Sequence, residues 1–191
     1  MEYSDAVLTI IGQAGGGILT RSVVRHMVYF ASQKEILEDD FTSDHFGPRS
    51  SGVNISILSL MASNFLTEEL GKRAAWSSNE RLYTYSLTEE GRLIWKDVQS
   101  DFPDRCANLK TIVETSKNIA QFSFPSIACA AKVHYTFREQ KLSINERYFL
   151  AEAQKFNWYG LDDSEKRTAF ELLRCLGLTN SSTNSRVHHF H

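Results

Sequence analysis

The stretch SSGVNISILSLMASN, Ser50–Asn64, decides how the chain is read. Ser50 is the kind of residue whose hydroxyl caps a first helical turn. Val53, Ile57, Leu60 and Met61 then recur at three- and four-residue steps, the spacing of one helical face. Asn64 stands where a left-handed C-terminal cap belongs, a conformation Asn tolerates better than other non-glycine residues. The pattern predicts a helix from Ser50 to about Ser63. Downstream, FLTEEL and RLYTYSL predict two strands, the second alternating Leu82, Thr84 and Ser86 against Tyr83, Tyr85 and Leu87. LTEEGRLIWKDV follows, with Thr88 as cap and Glu89 and Glu90 in the first turn, and predicts an exit helix to about Gln99.

Upstream, SDAVLTII predicts a short helix with Ser4 as cap, and TRSVVRHMVYFASQKE a longer one capped by Thr20. Val23, Val24, Met27 and Val28 form its core stripe, with Arg21, Arg25, Ser32 and Lys34 outside. Between them lies GQAGGGILTR, with four glycines in six residues. Gly12 and Gly17 meet the outer spacing of a phosphate loop, but Ile18 and Leu19 stand where Lys and Ser or Thr are needed. For the dinucleotide form the third glycine falls at Thr20, and no acidic strand end follows at the required distance. The glycines read as a helix stop and turn. A second break is predicted at Gly47 and Pro48.

Three helices, a hairpin and an exit helix, in that order, describe a winged helix-turn-helix over residues 1–100, in which the third helix enters the DNA major groove. Residues 101–124 read as a partly helical linker. Residues 125–180 predict three further helices, SIACAAKVHYTFREQ after Pro125, INERYFLAEAQKF, and DDSEKRTAFELLRCLGL with Asp162 and Glu165 in capping-box spacing. The overlay of ELLRCLGLT on SLMASNFLT suggests a second, winged-helix-like unit. The polar tail, 181–191, is expected to be disordered. The expected fold class is therefore mainly α with a small β-hairpin.

The bulk numbers bound the function. With 191 residues and 42% hydrophobic content the chain can bury a core, and no apolar run approaches the roughly 18 residues a membrane span needs. MEYSDAV lacks the features of a signal peptide, so a cytoplasmic protein without membrane contact is expected. A net charge of -2 argues against coating nucleic acid by bulk attraction. Charge is uneven: Glu38, Asp39, Asp40 and Asp44 form an acidic segment without a base, and Lys72, Arg73 and Arg81 cluster with only Glu80 among them. Cys106, Cys129 and Cys175 show no pairing pattern, and His188, His189 and His191 lack a carboxylate or thiolate partner. No metal, cofactor or catalytic residue is expected.

RHMVYFASQK, DHFGPRSSGV and YTYSLTEEGR, in this order and spacing, resemble the signature segments of the YwgA-like winged-helix proteins, related to the SocA-type antitoxin domains. The likeness spans about Gly17 to Val98. It implies a small DNA-binding or regulatory module, often a dimer, with no catalytic residues to carry over. Two departures stand out: Arg49 occupies the place of an aromatic, and Ile55 with Leu58 stands on the outward face of the third helix, where similar proteins carry polar or charged groups.

Two functions are therefore expected to compete. One is a dimeric transcriptional regulator binding double-stranded DNA through Arg49, Ser51 and Asn54 at the third helix and Lys72, Arg73 and Arg81 at the wing. The other is a protein-interaction adaptor or antitoxin-like module using Ile55 and Leu58. An enzymatic reading rests on the glycine loop alone and lacks the residues that grip phosphate.

Overall fold

The computed structural model describes residues 1–15, 19–73, 81–156 and 161–179, with backbone only at 71–73, 81 and 82. The polar tail lies outside the described residues. The described chain is mainly helical with two small antiparallel hairpins. No described helix is long and apolar enough to cross a membrane.

Helix α1 (Tyr3–Ala14) is buried over Ala6–Ile11. Its cap is Glu2 rather than Ser4: the Glu2 side chain accepts from the Asp5 backbone and Asp5 answers the Glu2 N–H, closing a capping box two residues before Ser4. The helix also runs past Ile11. Gly12 sits inside it because a Cβ there would come within 2.7 Å of the Trp95 ring, and Gly15 (φ 64) makes the left-handed exit. Helix α2 (Arg21–Gln33) starts at Thr20, whose hydroxyl accepts from Val23 N at 3.3 Å. Arg25 and Ser32, expected on its solvent face, are largely covered: Ser32 is buried and only 12% of the Arg25 side chain is exposed. The reason is that α2 is sandwiched, with α1 on one side and later helices on the other, so a one-sided stripe underestimates its burial.

The segment expected to be a simple break forms a hairpin of β1 (Thr42–Asp44) and β2 (Gly47–Arg49). Asp44 Oδ1 accepts from Phe46 N at 2.8 Å and Gly47 adopts φ 123, so two residues suffice to reverse the chain. Helix α3 (Ser51–Ala62) then begins as expected, with Ser50 Oγ accepting from Val53 N at 3.2 Å. Val53, Ile57 and Leu60 are buried, and Asn64 (φ 58) turns the chain into the second hairpin. Strands β3 (Leu66–Arg73) and β4 (Arg81–Leu87) pair from Leu66 opposite Leu87 out to Arg73 opposite Arg81. Helix α4 (Glu89–Asp101) follows, its cap Thr88 donating to Asn64 O at 2.7 Å and accepting from Gly91 N at 2.9 Å.

The stretch expected to be a linker is helix α5 (Pro103–Ala120), the longest in the described chain. Cys106, Leu109, Ile112, Val113, Ser116 and Ala120 give it a buried stripe that packs on α1, α2 and α8 (Asp163–Cys175). Helix α6 (Phe124–Glu139) is buried over most of its length, and α7 (Glu146–Ala153) contributes Phe149 and Ala153. Asp162 caps α8 by accepting from Glu165 N at 2.8 Å. The Glu165 carboxylate does not complete the box; it accepts from Ser123 and Ser126, tying the start of α6 to the start of α8. Buried side chains from Ala6 to Leu178 form one connected core.

Candidate interaction surface

Helix α3 is held from behind by α1 and at its end by β3, which leaves one face in solvent. Arg49 is exposed at the end of β2, Ser51 is exposed in the first turn, and Asn54 is half-buried one turn later. Beyond them the face is uncharged and rich in apolar surface: Ile55 is 62% exposed and Leu58 53%, with exposed Ser59 and Ala62 beside them. From Ser51 to Ala62 there is no charged residue at all.

The hairpin carries the other basic candidates. Arg73 lies opposite Arg81 in the backbone register, with Lys72 beside it; their side chains lie outside the described residues. Nearer the body, Leu70 stands opposite Tyr83 and both are about half exposed. The hairpin base is clamped to α2. Arg21 Nε donates to Tyr85 Oη at 3.0 Å, an Arg21 terminal N–H donates to Glu68 Oε1 at 3.2 Å, and Tyr85 donates to the same carboxylate. Burial, followed by the hydrogen bond to Glu68, pushes the Tyr85 phenol up to about 12.

A cleft of about 1310 Å³ adjoins the exposed row of α3. Tyr3, Ile36, Leu37 and Ile55 supply its apolar lining, and the Tyr3 ring packs on Gly52, where a Cβ would come within 2.8 Å of it. Its charged lining is one-sided, with Glu2, Glu35, Glu38 and Asp39 against Arg105. The acidic loop is fixed from behind: Tyr3 Oη donates to Glu38 O at 3.0 Å and to the Asp40 carboxylate, while Arg138 binds Asp39 and donates to Gln33 Oε1 at 2.9 Å. Glu2 is used by the α1 cap. Glu35 and Glu38 are exposed and have no ion pair among the described residues. The acidic run was legible in the sequence; its placement beside Ile55 was not, because the walls come from α1, α2, α3 and α5.

Two histidines are buried between α2 and α6. His26 stacks on Phe124 and lies against Gly47, where a Cβ would be 3.2 Å from its Nε2. Burial, and then the charge of Arg25, holds it well below the ordinary histidine range. His134 Nδ1 shares a hydrogen bond with Tyr29 Oη at 2.7 Å, the donor depending on the ring tautomer. Burial, with the Arg138 charge second, lowers His134 to about 4. A folded-state value below the unfolded one means that the unfolded chain binds the extra proton, so stability is lost as pH falls from about 6.5 toward 4. Urea midpoints measured between pH 7 and 4.5 should decline for the wild type and less steeply for His134→Gln; equal slopes would refute the assignment.

No protein-family model and no curated protein matches the chain.

Proposed function

We propose that the chain is a winged-helix module that has given over its third helix to protein binding, an adaptor or antitoxin-like role, rather than a transcriptional regulator. In this reading α1, α2 and α3 are the helical triad and β3–β4 is the wing. The observation that carries it is the solvent face of α3, which has no charge and presents Ile55 and Leu58. A helix that reads bases needs hydrogen-bonding side chains at these positions, and its surroundings must tolerate phosphates. Here Glu35 and Glu38 stand beside the first turns of α3, where their field repels a phosphodiester backbone.

The DNA reading keeps one specific support, the basic end of the wing where Arg73 pairs with Arg81 and Lys72 adjoins them, together with Arg49 and Ser51 exposed at the start of α3. The two readings separate on salt dependence. Mixed-sequence duplex DNA should give no mobility shift with the purified protein at low ionic strength. A shift that fades steeply with added salt, and that weakens in Arg49→Ala and in a Lys72→Ala/Arg73→Ala variant, would establish the regulator instead.

A further inference from the structure

We infer that the cleft beside α3 receives a basic amphipathic segment of a partner protein, with an apolar side chain lodged against Ile55 and a lysine or arginine facing Glu35 and Glu38. This rests on the protein-binding reading of α3 and adds the chemistry of the partner. Three features combine. The cleft holds about 1310 Å³, enough for several side chains of an incoming helix or strand, and Tyr3, Ile36, Leu37 and Ile55 are the apolar side chains within a mixed, largely polar lining. It is continuous with the exposed row Ile55–Leu58, so one amphipathic segment engages both. Its charge favours a basic segment: Glu35 and Glu38 are exposed without an ion pair among the described residues, whereas Glu2 serves the α1 cap, Asp39 is held by Arg138, and Arg105 is the one guanidinium of the lining.

The loop that carries the free carboxylates is already ordered. Tyr3 holds the Glu38 carbonyl and Asp40, and Arg138 holds Asp39, so Glu38 is presented without a large ordering cost on binding. Glu35 is fixed differently, by a left-handed turn (φ 58) at the end of α2 in which its N–H donates to Ser32 O at 3.0 Å. Asp39, engaged by Arg138, shapes the wall rather than contacting the partner.

The test uses the full chain and three synthetic amphipathic helical peptides of equal length, built from Leu with Lys, Leu with Glu, and Leu with Gln. The Leu/Lys peptide should shift the amide resonances of Glu35, Glu38, Gly52 and Ile55, and bind more weakly as salt rises. Glu35→Gln/Glu38→Gln should weaken it by roughly three- to thirtyfold, as expected for two partly exposed ion pairs. Glu89→Gln/Glu90→Gln, remote from the cleft in sequence, should leave it unchanged. If the Leu/Gln peptide binds α3 equally well and the cleft variant has no effect, the inference fails while the α3 reading stands. If no peptide perturbs α3, or if the protein self-associates through Ile55 and excludes them all, both fall.

Discussion

Gly91→Ala is expected to destabilise the protein by about 3 kcal/mol, one of the largest effects of any single methyl group in this chain. A Cβ at position 91 would lie 2.0 Å from the carbonyl oxygen of Phe65 and 2.9 Å from its carbonyl carbon. These are backbone atoms in the turn that carries α3 into β3, and that oxygen already accepts from Thr88 N at 3.2 Å. Relief therefore requires moving either α4 or the root of the second hairpin, not a side chain. Gly12 makes a useful comparison. Its added Cβ would meet the Trp95 ring at 2.7 Å, a side chain that can shift, so Gly12→Ala should cost less than Gly91→Ala. Thermal unfolding of the two variants beside the wild type decides the matter: a Gly91→Ala protein with unchanged midpoint would mean that α4 does not sit on the Phe65 carbonyl.

Gly91 also shows what the sequence could and could not carry. Thr88, Glu89 and Glu90 announce the start of α4, and Thr20, Ser50 and Asp162 announce three other helices, because a cap is a local event between neighbours in sequence. Asn64 marks its turn for the same reason. What makes Gly91 indispensable is a contact with Phe65, far away in sequence, and no local pattern encodes it. The β1–β2 hairpin was illegible for another reason: strands of three residues are too short to show a period, and Gly47 and Pro48 look like punctuation whether or not the flanking chain pairs. The candidate surface divides the same way. Ile55 and Leu58 stood out in the sequence as apolar residues on an outward face, and the exposure of both follows that pattern. The cleft that gives Ile55 charged company could not be read, because its lining draws on residues from Glu2 to Arg105.

Leu109→Ala tests how the two ends of the chain are joined. Leu109 is fully buried on α5, the helix that packs against α1 and α2 on one side and α8 on the other. Removing three heavy atoms there forfeits their transfer free energy and leaves a cavity whose walls belong to several helices, a loss of about 3 kcal/mol. For a chain of this size that corresponds to a fall in the melting midpoint of roughly 6 to 12 °C. Ile55→Ala removes a comparable side chain from the solvent face and should change stability by no more than about 0.5 kcal/mol. The shape of the transition is as informative as its position. Because one core connects Ala6 with Leu178 through α5, the wild type should unfold in a single step, and Leu109→Ala should move that step without splitting it. Two resolved transitions, with only one displaced by the substitution, would mean that the segment bearing α3 and the segment from α6 onward are separate cooperative units, and that α5 is a tether between them rather than their common core.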